Sequence, residues 1–195
     1  MIWHAVRSLL SAPEIDTVFI VLSPGDESFR GCDWSEFGQR LAPLYCGGAS
    51  RRDSVLNGVI AAASVADPDD WILVHDAARP CLGTRELERL IGETRDDDVG
   101  GILAVPVADT LKRADDQRRI AVTESRDGMW QAQTPQMFRH GVLLRALREH
   151  ASATDEAAAV EAMGLKPRLV EGSRANLKVT YAADLELAEL ILGKR

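Results

Sequence analysis

Asp76 and Arg79 are the residues whose types and spacing first suggest chemistry, in the run Trp71 to Pro80, Trp-Ile-Leu-Val-His-Asp-Ala-Ala-Arg-Pro. Asp76 can hold a divalent metal or position a phosphate, and Arg79 can pair with an anion through its planar fork. Small Ala77 and Ala78 let a ligand approach the backbone. A surface ion pair in a tight connection explains the same letters. Lys178 interrupts the β-prone segment Asn176 to Thr180 and can deliver one positive charge toward a sheet-edge pocket, or face solvent as strand lysines commonly do. Gly47 and Gly48 lead into a helix that Ser50 can cap. Their backbone N–H groups, with Arg51, can bind an anion, although a turn plus an ordinary cap also suffices. The stretch is no complete phosphate-loop or dinucleotide fingerprint.

These residues need a frame that brings them together. Trp71 to Val74 suits a strand buried on both faces of a parallel sheet, and the residues after Val74 lie at the carboxyl edge of that sheet, where open α/β folds bind ligands. Before it, Ile2, Val6, Leu9 and Leu10 mark a helix ended by Pro13, and Thr17 to Leu22 an apolar strand. A short helix around Trp34 to Leu41 and a strand at Leu44 to Cys46 are predicted next, then a helix bearing Val55, Leu56, Val59 and Ile60. Thr84 is placed as the cap of a helix bearing Leu87, Leu90 and Ile91, and Gly101 to Pro106 as a strand. Alternation of this kind predicts a Rossmann-like, mostly parallel, doubly wound α/β sheet with right-handed crossovers.

From Val107 to Thr134 the alternation breaks. Thr110 to Arg113 and Ile120 to Glu124 read as a β-hairpin arm of the kind that meets a second subunit. Met129 to Phe138 returns to the body, with Pro135 barring a regular helix. A helix with Val142, Leu143, Ala146 and Leu147 comes next, then one capped by Thr154 and ended by Gly164. Strands at Arg168 to Glu171 and Asn176 to Thr180 precede a closing helix with Leu185, Ala188 and Leu192. The run Asp96-Asp97-Asp98 is read as a solvated loop.

A length of 195 residues fits one domain, and 46% hydrophobic residues is the content of a soluble globular protein. A net charge of -7 argues against a general nucleic-acid binder, and nothing in the sequence suggests a membrane partner. Cys32, Cys46 and Cys81 lack metal-ligand spacing and are read as reduced thiols of a cytoplasmic protein. The first residues lack the features of a secretory signal.

Taken in order, the motifs resemble the 2-C-methyl-D-erythritol 4-phosphate cytidylyltransferase family, within the nucleotide-diphospho-sugar transferase folds. The match comprises Gly47-Gly48 with Arg51, Asp53 and Ser54; His75 to Pro80; Pro106 with Asp109 to Arg113; Arg126-Asp127-Gly128; Thr134-Pro135-Gln136; Thr154-Asp155-Glu156; and Asn176 to Thr180. Each motif is weak by itself, but the series is specific and covers essentially the whole chain.

The resemblance implies attack of a sugar-alcohol phosphate oxygen on the α-phosphorus of CTP, with pyrophosphate leaving, in non-mevalonate isoprenoid synthesis. By this correspondence Asp76 organises magnesium and the nucleotide phosphates, and Lys178 approaches the α-phosphate. Gly48, Arg51 and Ser54 lie along the cytidine and ribose side, with Ala77 and Arg79 nearby. Thr110 and Arg126, on or beside the 107–134 arm, complete the methylerythritol phosphate site of a neighbouring subunit, which implies a homodimer. Thr134 and Thr154 help line that pocket. His75 is read as a supporting residue, because a phosphate nucleophile is already ionised near neutral pH. Two other readings stand beside this one: a cytidylyltransferase for another polyol phosphate such as ribitol 5-phosphate, and a non-catalytic dimerisation or ligand-binding remnant.

Two departures matter. Ala49 stands where the family commonly has a polar residue. The family's first strand, its glycine-rich loop and a Pro-Lys-Gln segment precede the helix matching Ile2 to Leu10, and this chain opens at that helix. We therefore expect an N-terminally truncated single domain, weak catalysis, an upstream coding segment, and an exposed gap where a central strand would lie.

Overall fold

A computed structural model describes residues 1–194. Helix α1 (Ile2–Leu10) buries Ala5, Val6 and Leu9 on one stripe, as its apolar spacing requires. Strand β1 (Val18–Val21) pairs in parallel with β2 (Leu41–Leu44), from Val18 with Leu41 to Val21 with Leu44. The connection between them contains 3₁₀ turns at Phe29–Gly31 and Ser35–Arg40. The predicted strand at Leu44 to Cys46 is thus shifted toward the N-terminus: the ladder ends at Leu44, and just beyond it Gly47 N–H donates to Leu22 O.

Helix α2 (Arg51–Ala62) leads to β3 (Trp71–Val74), and α3 (Thr84–Thr94) to β4 (Gly100–Pro106). Thr84 is the first residue of α3 rather than its cap; Gly83 holds that place without a side-chain bond. The hairpin of β5 (Leu111–Ala114) and β6 (Ile120–Glu124) forms as predicted, as a separate two-stranded sheet.

The segment returning from the arm, to which the sequence assigns no element, is a long strand, β7 (Trp130–Arg139), antiparallel to both β3 and β4. Its polar letters disguise it, because Gln133, Thr134 and Gln136 are buried and hydrogen-bonded rather than facing water. Helices α4 (His140–Glu149) and α5 (Glu156–Ala162) come next, then β8 (Arg168–Glu171), parallel to β4, and α6 (Ala182–Leu192). The four-stranded sheet has the order β3-β7-β4-β8, so β3, β4 and β8 run one way and only β7 opposes them. This is the expected mostly parallel α/β architecture with one reversed strand.

Residues 176–180 are not a strand. They form an extended connection tied to the loop after β3 by Val179 N–H donating to Ala78 O, at 2.8 Å. Neighbouring residues of the sheet face opposite layers, as a pleat demands. Leu103 and Met137 pack with Val6, Leu9, Leu87 and Leu90 from α1 and α3. Ile102 and Phe138 pack with Val59, Leu143, Leu147 and Val160 from α2, α4 and α5. Helices therefore cover both faces.

A cavity of about 780 Å³ separates β1 from β3 and is lined by residues of both strands together with α1 and α2. Among the described residues each of these strands is hydrogen-bonded to one neighbouring strand, β1 to β2 and β3 to β7. Arg51, Ser54, His75 and Asp76 stand among the residues lining the cavity. Among the described residues no helix is long and apolar enough to cross a membrane.

Candidate active site

Where the apolar run of β3 ends, Asp76 leaves the sheet and Arg79 N–H donates to its carbonyl at 2.9 Å, closing a tight turn. The Asp76 carboxylate, 11% exposed, sits between two cations. Arg51 Nε lies 2.7 Å from Oδ1, and Lys178 Nζ lies 2.9 Å from Oδ2. Three distant segments meet here: the end of β3, the first turn of α2 and the connection before α6. Burial alone would raise the Asp76 pKa, but the Lys178 hydrogen bond and the Arg51 charge outweigh it and hold the carboxyl below its usual range.

Buried polar groups underlie this contact. Asp76 N–H donates to Thr134 Oγ1 at 3.0 Å, and the same oxygen lies 3.0 Å from His75 Nδ1. His75 Nε2 lies 3.1 Å from Arg79 O. Burial drives the His75 pKa down to about 4, so the ring is neutral at physiological pH. Arg51 gives its two terminal nitrogens to Glu156, at 2.8 and 3.1 Å. Burial disfavours the Arg51 charge, yet Glu156 and Asp76 more than compensate and raise its pKa. Gln136 clamps the start of α5, donating to Asp155 Oδ2 and accepting from Ala157 N–H, at 2.9 and 2.8 Å.

The remaining candidates fall into three places. Ser54 and Ala77 line the cavity together with Asp76, and Gly48 is tied to that wall through its N–H, which donates to Ser54 Oγ at 3.0 Å. The two glycine amides are consequently not free for an anion, because Gly47 N–H is bound to Leu22 O and Gly48 N–H to Ser54. The glycines supply close approach instead, since a Cβ at Gly48 would stand 2.4 Å from Asp53 Cβ. Ser50 caps α2 as expected, accepting from Asp53 N–H at 3.1 Å.

The Thr134 hydroxyl and the two terminal nitrogens of Arg79 bond within the scaffold. The Arg79 guanidinium donates to Asn176 O at 2.7 Å and to Ala132 O at 3.5 Å, bracing the loop that carries Lys178. Thr134, 5% exposed, uses its hydroxyl on Asp76 and His75. Thr154 is exposed and does not cap α5; Asp155 does, through Ala158 N–H at 2.8 Å. Thr110 and Arg126 are exposed on or beside the arm, and among the described residues neither side chain bonds to the Asp76 cluster.

Glu156 is the residue that the pattern does not reveal. It reads as the acidic first turn of a helix, which α5 does have, but it is 1% exposed and paired with Arg51. Among the described residues no group of three or more His, Cys, Asp or Glu gathers to hold a metal. A hard cation held by Asp76 would have to draw its other ligands from water or phosphate, as magnesium commonly does.

The model of the family IspD: 2-C-methyl-D-erythritol 4-phosphate cytidylyltransferase matches residues 1–194. The chain belongs to this family. A 2-C-methyl-D-erythritol 4-phosphate cytidylyltransferase of Dechloromonas aromatica (strain RCB) is 57% identical over 195 residues, covering 100% of this chain and 86% of that protein. One from Azoarcus sp. (strain BH72) is also 57% identical, over 100% of this chain and 83% of that protein. A crystal structure of a 4-diphosphocytidyl-2C-methyl-D-erythritol synthase superposes with a TM-score of 0.89 at 42% identity, covering 97% of this chain and 88% of that one. The Francisella tularensis cytidylyltransferase gives 0.83 at 31%, covering 97% and 87%. The stretch that the family model matches includes Arg51, Asp76 and Lys178.

Proposed function

We infer that this chain is a cytidylyltransferase that joins CTP to 2-C-methyl-D-erythritol 4-phosphate, releasing pyrophosphate, in the cytoplasm. The observation that carries the reading is the Arg51–Asp76–Lys178 cluster at the carboxyl end of β3, in a chain of this family. A phosphate oxygen of the acceptor attacks the α-phosphorus of CTP. A new P–O bond forms, the bond from the α-phosphorus to the bridging oxygen breaks, and pyrophosphate departs with the electron pair. No proton need be removed from an acceptor phosphate already ionised, so the site must supply alignment and charge neutralisation.

Asp76 would hold magnesium, which would neutralise phosphate charge. In the free protein Arg51 and Lys178 satisfy Asp76. Nucleotide phosphates compete for those cations, so Lys178 turns to the α-phosphate while Glu156 keeps Arg51 in place. Gly48, Ser54 and Ala77 border the cytidine side, Arg79 braces the loop behind it, and Thr154 lies by the acceptor.

Thr110 and Arg126, exposed on the 107–134 arm, would serve the acceptor pocket of a second copy in a homodimer. Exposed Ile120 and Val122 on the arm favour such an apolar contact. Pyrophosphate release with CTP and either methylerythritol phosphate or ribitol 5-phosphate tests the reading. Higher kcat/KM with methylerythritol phosphate is expected; preference for ribitol 5-phosphate would overturn the acceptor assignment.

A further inference from the structure

Beneath Asp76, a short hydrogen-bonded chain has its direction fixed by the chemistry of its ends. Arg79 O can only accept, so the 3.1 Å contact requires His75 Nε2 to carry the proton. The Thr134 hydroxyl oxygen already accepts from Asp76 N–H at 3.0 Å, and its own proton has His75 Nδ1, also 3.0 Å away, as acceptor, so Nδ1 is the bare nitrogen. The order is therefore Asp76 N–H to Thr134 Oγ1, Thr134 O–H to His75 Nδ1, and His75 Nε2–H to Arg79 O. Arg79 N–H in turn donates to Asp76 O at 2.9 Å, so the chain closes on the residue where it began.

We propose that His75 is a positioning residue: as the Nε2–H tautomer it orients the Thr134 hydroxyl, which fixes the backbone of Asp76 and hence the aim of the carboxylate shared by Arg51 and Lys178. His75 touches no substrate in this account and transfers no proton. The inference deepens the nucleotidyltransferase reading and rests on it for its kinetic part; the tautomer part stands on geometry alone.

Long-range ¹H–¹⁵N spectra of the full chain at neutral pH read the tautomer directly. Protonated Nε2 with bare Nδ1 is expected, and protonation at Nδ1 would overturn the proposal, whether or not the chain turns over. For the kinetic part, His75→Leu should lower kcat roughly 10-fold, as loss of a supporting partner commonly does, with less effect on the KM for CTP. His75→Asn, whose amide oxygen can stand in for Nδ1, should restore part of the rate. In a Thr134→Val background, His75→Leu should cost little more, because the hydroxyl through which the ring acts has gone. Additive losses, or an unchanged kcat in well-folded His75→Leu, would overturn it. If His75→Leu does not fold, the tautomer measurement still decides.

Discussion

Glu156 binds both terminal nitrogens of Arg51, at 2.8 and 3.1 Å, and so leaves Nε alone to meet Asp76. The guanidinium fork is thereby turned in one direction by a carboxylate that is 1% exposed. Removing one partner of a buried pair costs about 3–5 kcal/mol. Since the Arg51 side chain is 37% exposed, Glu156→Gln should cost nearer ~1–2 kcal/mol in urea unfolding. It should also lower kcat/KM for CTP by roughly 10-fold, because Arg51 loses its support. Unchanged stability and unchanged kcat/KM would show that the pair does not aim Arg51.

Gly48 tests the close approach at the start of α2. A methyl group there would press on Asp53 Cβ and on the backbone of Asp53 and Ser54, at 2.4, 3.0 and 3.2 Å. Gly48→Ala should therefore destabilise the chain by about 1–3 kcal/mol, read as a lower denaturation midpoint. A melting curve equal to that of the parent would show that the turn relaxes without cost.

Asp97 gives the fold a pH dependence away from the site. Its Oδ1 accepts from Gly100 and Val99 N–H, both at 2.9 Å, and Oδ2 lies 3.4 Å from Arg168 Nε. The Gly100 hydrogen bond is the main reason that its pKa falls below the ordinary carboxylate value. A depressed carboxyl binds fewer protons folded than unfolded, so its stabilisation is complete above the unfolded pKa and is lost as pH falls through the folded one. Asp97→Asn should flatten this acid-side slope in urea titrations at successive pH values. An undiminished slope would assign the acid sensitivity to other groups.

The arm offers a test across subunits. Arg126 is exposed and bonds to nothing in the Asp76 cluster of its own chain, so its work in the proposed homodimer is on the second copy. Mixing Arg126→Ala with Asp76→Asn protein should regenerate about a quarter of the sites' activity, if exchange is random and one complete site forms per mixed dimer. No recovery after demonstrated exchange would contradict the shared site.

The α/β alternation and the strand end that carries Asp76 are legible in the sequence because their signals are local. An apolar run stopping at His75-Asp76 announces a strand end, and Ser50 before α2 announces a cap. β7 is hidden because its inward polar side chains, Gln133, Thr134 and Gln136, imitate a loop until their buried partners are known. Lys178 stands out for interrupting a strand that does not form, yet it reaches Asp76 because Val179 N–H and Arg79 moor that connection to the loop after β3. Glu156 is invisible for a different reason. An acid in the first turn of a helix is ordinary chemistry, and only the fold, by bringing the first residues of α2 and α5 together, reveals its partner.

The most direct measurement is steady-state pyrophosphate release with saturating CTP, methylerythritol phosphate and magnesium, comparing the parent with Asp76→Asn and Lys178→Ala. The account predicts turnover by the parent and a loss of roughly 10²–10³-fold in kcat for Lys178→Ala, the usual cost of one charge-stabilising donor, with a comparable loss for Asp76→Asn and the fold intact. Turnover by both variants at the parental rate would contradict it.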